Sequence, residues 1–261
     1  MASRRLVKTK RLFEGRHALG VVVGACGVAF GLGALIRYSV LQAFDLKATR
    51  VLQNEEWPPL DKAMIGLTNA GDPIVVPVLG LLAAGALHRA GLPRAARLVL
   101  ASLVSVPANI VMKNFWDRAR PDKDLVNVAV ETAGTSFPSG HTMGATAFYG
   151  SLSALTWIHL DPRRTRLPLT VGLGTLPVGV GISRVYLGAH WLSDVVAGNA
   201  LGLLVLIPLV RRYLKTIPIE VEEEVATKGK PHESTGEVIA ALPAPLKIAA
   251  SSGVVLPSKE P

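Results

Sequence analysis

Apolar residues in this chain fall in blocks, and the charged ones gather at the edges of those blocks. Six uncharged, largely apolar segments can be read: Ala18–Ile36, Pro73–Leu87, Leu98–Met112, Thr142–Ile158, Leu167–Ser183 and Val195–Val210. A helix rising about 1.5 Å per residue needs roughly 20 residues to cross the hydrocarbon core of a bilayer. The first segment reaches about that length unaided. The others run 15 to 17 residues and need their polar flanks to complete a crossing. The pattern predicts an all-α fold, a polytopic membrane bundle of six transmembrane helices within residues 17–215.

Short apolar runs also describe buried helices of a soluble protein. Six of them joined by basic connectors are hard to pack in water, and composition agrees: only 18% of residues are charged, against about a quarter in soluble domains. Mean hydropathy is +0.38.

The connectors set an orientation. Residues 1–16, a basic leader, carry Arg4, Arg5, Lys8, Lys10, Arg11 and Arg16 against Glu14 alone. His88, Arg89, Arg94 and Arg97 follow the second segment, Arg163, Arg164 and Arg166 the fourth, and Arg211, Arg212 and Lys215 the sixth. Basic connectors stay on the cytoplasmic side, so both termini are expected inside. Residues 37–72, 113–141 and 184–194 then face the periplasm or cell exterior, as expected for a bacterial inner membrane protein. The net charge of +9 raises a nucleic-acid reading, but no basic helix or aromatic–basic interleaving supports it. Cys26 is the single cysteine, which excludes an intrachain disulfide or a cysteine metal cluster.

Three regions need separate readings. Ala18–Ile36 is longer than a signal-peptide core and is followed by Arg37-Tyr38, so it is read as a retained anchor. Ser3-Arg4-Arg5 is too common in basic leaders to mark a twin-arginine signal. Residues 41–72 contain Trp57, Pro58, Pro59 and an apolar periodicity over Leu60–Leu67, which predicts an interfacial amphipathic helix. Residues 216–261 mix Glu220, Glu222, Glu223 and Glu224 with Lys, Pro, Ser and Gly, predicting a disordered cytoplasmic tail. Pro243 and Pro245 argue against a seventh span near Val238–Ile248.

Candidate chemistry lies in three stretches on the outer-facing connectors. Lys113 and Arg120 are two helical turns apart and share a face if the third helix runs on to Ala119, with Pro121 ending it. Such cations can simply snorkel to headgroups. An arginine fork and a lysine point charge together also suit a tetrahedral anion. Phe137-Pro138-Ser139-Gly140-His141-Thr142 precedes the fourth segment: Ser139 is a candidate N-cap, and Gly140 lets a phosphate approach backbone N–H groups at the positive end of a helix. His141 falls in the first turn, facing the same space. In Ser183-Arg184-x5-His190-x3-Asp194, a helix would put His190 and Asp194 on one face, where the carboxylate orients the imidazole and frees its other nitrogen to attack. A metal site is the rival reading of two histidines and an aspartate, but dense Lys and Arg repel a metal and neutralise phosphate directly.

These stretches, in this order and spacing, resemble the signature of the type 2 phosphatidic acid phosphatase superfamily, which includes the vanadium haloperoxidases. The resemblance spans roughly residues 60–212. It implies that His190 is a nucleophile forming a phosphohistidine, that Asp194 orients it, and that His141 protonates the leaving oxygen. Lys113, Arg120, Arg184, Ser139 and the Gly140 amide would bind the phosphate, with no metal and no cofactor. A soluble haloperoxidase would not need six spans. The implied activity is hydrolysis of a membrane lipid phosphate or diphosphate: undecaprenyl diphosphate first, then phosphatidate or phosphatidylglycerol phosphate. Phosphotransferase and lipid A phosphatase activities are alternatives. A non-enzymatic lipid-phosphate binding or flipping protein is the alternative of another class, and it would not need His141, His190 and Asp194 together.

Overall fold

A computed structural model describes residues 2–37, 40–54 and 58–217. Those residues form ten helices: α1 (Ala2–Glu14), α2 (Arg16–Arg37), α3 (Gln42–Leu52), α4 (Pro58–Ala70), α5 (Val75–Arg89), α6 (Pro93–Ser102), α7 (Ser105–Lys113), α8 (Gly140–His159), α9 (Arg163–Tyr186) and α10 (Leu192–Thr216). No strand occurs among them. Trp57 and the tail beyond Ile217 lie outside the described residues.

Three stretches are long and apolar enough to cross a membrane: His17–Ile36, Pro93–Lys113 and Leu192–Thr216. The α4–α5 pair, bent by 59°, makes a fourth if it counts as one broken span. The molecule is apolar outside as well as inside. Leu19, Val23 and Phe30 on α2 and Leu81 and Leu82 on α5 are exposed, while Ser102, Ser105, Thr142, Ser151 and Ser183 are buried. That inversion suits a hydrocarbon solvent, where polar side chains turn inward. α8 occupies the centre, packed by α9, α10, α6 and α7. A helix so enclosed presents little surface to lipid, which is why its sequence can be rich in small and hydroxylated residues.

One local expectation fails. The third apolar segment is not one helix continuing to Ala119. It is broken between α6 and α7 and ends at Lys113, where Asn114 N–H bonds Val111 O and Phe115 N–H bonds Met112 O, a tightening of the last turn. Trp116 then packs its ring on Phe30 and Phe137, drawing the chain sideways into the non-helical residues 114–139. Lys113 and Arg120 therefore share no helical face. In the 41–72 connector a helix does form over the expected stretch, joined by a second one. The Leu60–Leu67 periodicity belongs to α4, and α3 packs on α9 and α10 with Asp45 and Thr49 fully buried.

Small residues set how closely the central helices approach. α10 carries Gly198-x3-Gly202 against the first turns of α8, the small-residue spacing that lets membrane helices close up. A Cβ at Gly198 would lie 2.1 Å from Thr142 Oγ1 and 2.5 Å from Ser139 O, and one at Gly202 would lie 2.5 Å from Thr146 Cβ. The start of α8 is thus seated directly on α10, which brings Ser139 and Asp194 within reach of each other. Gly202→Val is expected to destabilise the protein by about 1–3 kcal/mol through overpacking. Gly24→Ala on α2, where an added Cβ meets nothing within 4 Å, is expected to be neutral or stabilising by up to about 1 kcal/mol. Thermal unfolding of the two variants in detergent checks the contrast.

Candidate active site

Four helix ends meet at one end of the bundle: the C-termini of α7 and α9 and the N-termini of α8 and α10. Asp194 occupies the third position of α10. It has no exposed surface, and its Oδ2 accepts from the Trp191 N–H at 2.9 Å, closing the first turn. Ser136 Oγ donates to the same oxygen, and Arg118 forms an ion pair with Oδ1. His190 lies just before the helix, not on it, so the shared helical face expected for His190 and Asp194 is absent. The loop Leu187–Trp191 brings them together instead, with His190 Nδ1 at 3.4 Å from Asp194 Oδ2. Gly188, at φ +67°, makes the turn possible: a Cβ there would sit 2.2 Å from Asn127 O.

The other imidazole nitrogen faces Arg120, whose Nη1 lies 3.2 Å from His190 Nε2. Arg donates only, so Nε2 carries the lone pair and Nδ1 the proton. Burial first, then the charges of Arg184 and Arg120, lower the His190 pKa to about 4 against the opposing pull of Asp194.

Arg120, Lys113 and Arg184 share a trait that decides what the site can hold. Arg120 is fixed by the carbonyls of Ala133, Gly134 and Ala189, and Lys113 Nζ by that of Thr135. Arg184, buried in the last turn of α9, donates Nη1 to Thr68 Oγ1 at 2.8 Å, while its Nε and Nη2 find no partner among the described residues. Among the described residues none of the three forms an ion pair with a carboxylate. Arg184 is buried and Lys113 and Arg120 are half-buried; charges withdrawn from water are normally paired, so the cluster is short of an anion. His141, in the first turn of α8, lies in the field of all three cations and of His190.

Ser139 stands at the N-cap position of α8, with extended backbone, but its hydroxyl makes no capping bond and is buried without a partner among the described residues. Its position matches expectation and its side-chain role does not. Asn109 Nδ2 donates to Pro138 O at 3.3 Å. A Cβ at Gly140 would approach Asn109 Oδ1 to 2.7 Å, so only glycine fits this turn unstrained. The first N–H groups of α8 have no partner within their own helix, and together with the Ser139 hydroxyl they form a cradle suited to an oxyanion.

All eight residues singled out from the sequence thus lie around the end of one bundle. Sequence reasoning missed Arg118, Ser136, Thr68 and Asp45. Arg118, two residues before Arg120, could have been found from the need of a buried Asp194 for a cation. Asp45 gave no signal. Among the described residues no cluster of three or more His, Cys, Asp or Glu is arranged to hold a metal ion.

Comparison with known proteins places this geometry in context. The family model for the PAP2 superfamily matches residues 94–217. Phosphatidylglycerophosphatase B of Bacillus subtilis is 31% identical over 177 residues, 66% of this chain and 85% of that protein. Decaprenylphosphoryl-5-phosphoribose phosphatase of Mycobacterium tuberculosis is 35% identical over 130 residues, 49% of this chain and 64% of that protein. Among solved structures, the transmembrane PAP2-type phosphatidylglycerolphosphate phosphatase of B. subtilis superposes with a TM-score of 0.66 at 29% identity, covering 76% of this chain and 97% of that one. LpxE of Aquifex aeolicus gives a TM-score of 0.52 at 25% identity, covering 64% and 94%.

The environment of His190 generates a direct expectation. Because its pKa is depressed, the neutral ring persists well below the usual midpoint of about 6.5. At pH 5.5, 15N NMR of the labelled protein in detergent is expected to show His190 neutral with its proton on Nδ1. An imidazolium signal at that pH would contradict the geometry.

Proposed function

This chain belongs to the PAP2 superfamily, and we propose that it is a lipid phosphatase acting through His190. Its relatives are lipid phosphatases, and its fold is that of an integral membrane protein. The observation that carries the site assignment is the cluster of Lys113, Arg120 and Arg184, held by neutral acceptors beside an imidazole whose Nε2 bears a lone pair. A phosphate supplies the missing negative charge.

In the proposed reaction the phosphate of a lipid ester or diphosphate lies against Lys113, Arg120, Arg184, the Ser139 hydroxyl and the Gly140 amide. His190 Nε2 attacks phosphorus, and the bond to the leaving oxygen breaks. His141 gives that oxygen its proton. The phosphorylated imidazole is cationic at that moment, and Asp194, facing Nδ1, stabilises it. Water deprotonated by His141 then attacks phosphorus, releasing phosphate and restoring the neutral ring of His190. Donors fixed in advance of the reaction stabilise the charge that develops on phosphorus oxygens. The cations provide this stabilisation themselves, so the step requires no divalent ion.

The finer topology belongs to the same reading. Six crossings are counted as α2, the bent α4–α5 pair, the broken α6–α7 pair, α8, α9 and α10. The basic connectors favour cytoplasmic termini and an active site at the outer face of a bacterial inner membrane.

For the substrate, one relative is named for phosphatidylglycerophosphate and another for a decaprenyl-linked ribose phosphate, each a phosphomonoester on a lipid-anchored group. The deciding experiment is phosphate release by purified protein in detergent across phosphatidylglycerophosphate, undecaprenyl diphosphate, phosphatidate and a lipid A phosphate, with and without EDTA. Hydrolysis of at least one, unchanged by chelator, is expected. No hydrolysis of any, or activity lost in EDTA and restored by metal, would overturn the proposal.

A further inference from the structure

One strongly interacting group in this region has no part in the reaction just described. Asp45 lies on α3, outside residues 94–217 matched by the family model, and it has no exposed surface. Its Oδ2 accepts from Arg118 Nη2 at 2.6 Å and from Ser193 Oγ at 2.6 Å. Its Oδ1 accepts from the Ser193 N–H at 2.9 Å. Ser193 Oγ in turn accepts from Arg118 Nη1 at 2.7 Å. The same Nη1 reaches Asp194. The result is a closed ring of Asp45, Ser193 and Arg118, with Asp194 as its outlet.

Two physical consequences follow. The Ser193 N–H belongs to the first turn of α10, one of the donors a helix leaves without an internal partner. Asp194 caps Trp191 from within the chain, and Asp45 caps Ser193 from another helix. Together they fix the turn that aims Asp194 at His190. The second consequence is electrostatic. One guanidinium is shared between two buried carboxylates, so the trio keeps a net negative charge. Without Asp45, Arg118 would neutralise Asp194 alone, and less negative potential would reach the imidazole.

We propose that Asp45 is a positioning residue for the phosphatase reaction, acting through Arg118 and Ser193 to hold Asp194 in place and keep its charge directed at His190. The proposal rests on the reading of His190 and Asp194 given above. It assigns α3 the task of completing the active site from outside the segment carrying the sequence signature. Gln53, which follows α3, ties this end to its neighbours: its Nε2 donates to Asn127 O in the 114–139 stretch and to Tyr186 O at the end of α9, both at 2.7 Å.

The charged and titratable groups facing His190 are Asp194 on α10, Arg184 on α9, Arg120 in the loop after α7 and His141 on α8. Arg118 acts at one remove, through Asp194. Asp45→Asn removes the carboxylate that shares Arg118 with Asp194 and leaves an acceptor for the Ser193 N–H. The imidazole then becomes less basic, so the acid limb of the pH–rate profile moves to lower pH while the plateau falls.

The test compares Asp45→Asn, Arg118→Gln and the double variant with wild type, using whichever lipid phosphate the wild type hydrolyses. Outer-shell partners that orient metal ligands typically cost about 10–100-fold when removed, and a group that orients a functional carboxylate acts in the same way. Asp45→Asn is expected to lose about that much in kcat, with KM changed less than about twofold and the acid limb shifted down. The double variant is expected to be no worse than the poorer single one, because both act on Asp194. Wild-type kcat in Asp45→Asn, or a rise in KM alone, would overturn the proposal. If Asp45→Asn does not fold, Ser193→Ala removes the bridging hydroxyl and keeps the N–H contact; unchanged kcat and acid limb there would overturn it equally. His190→Ala is measured in parallel. Activity surviving in His190→Ala defeats the reading of the site itself, whereas an inactive His190→Ala beside a fully active Asp45→Asn defeats only the role of Asp45.

Discussion

A carboxylate with no exposed surface, at the mouth of a membrane helix, must be neutralised or it will not stay charged. Asp194 is that carboxylate, and Arg118 is its counter-ion. The surrounding structure follows from keeping the pair together. The non-helical residues 114–139 carry both Arg118 and Ser136 to Asp194. Trp191 gives it a backbone N–H, and Asp45 takes the remaining arm of the guanidinium. Breaking a buried pair by removing one partner typically costs about 3–5 kcal/mol, enough to threaten a marginally stable fold. What the protein gains is a fixed negative charge against one face of a buried imidazole.

The two helix N-termini at this end are treated oppositely. That of α10 is filled by carboxylates, Asp194 from its own first turn and Asp45 from α3. That of α8 is left open, with the Ser139 hydroxyl unpartnered among the described residues and Asn109 crowding a side chain at Gly140. An N-terminus carries about half a positive charge. Beside it stand three cations that, among the described residues, form no ion pair with a carboxylate. One helix end therefore anchors the apparatus, and the other, with those cations, is free for an anion. The Gly198 and Gly202 notches hold the two ends together at close range.

Much of this was legible in the chain. Blocks of uncharged residues foretold an all-helical protein, and His141, His190, Asp194, Lys113, Arg120, Arg184, Ser139 and Gly140, singled out by type and spacing, all lie around the end of one bundle. Local geometry was harder to read. Lys113 and Arg120 meet the site from a helix end and a loop, because Trp116 packs against Phe30 and Phe137 and pulls the chain out of helix. Counting residues along an ideal helix cannot register a tertiary aromatic contact. His190 and Asp194 meet although only one of them is helical, since a turn at Gly188 substitutes for the helical spacing. Asp45 was invisible for a simpler reason: its partners lie far along the chain, and an isolated aspartate on a connector has no pattern. That α8 sits at the centre, packed by α9, α10, α6 and α7, was not legible, because sequence alone does not say which helix the others surround.

The central claim is that His190, oriented by Asp194, receives the phosphoryl group. Rapid quench of the enzyme with a substrate carrying labelled phosphate tests it most directly. The account predicts transient label on His190, acid-labile and alkali-stable as a phosphoramidate should be, and absent from His190→Ala. Label on Ser139, or label that persists in His190→Ala, would contradict it.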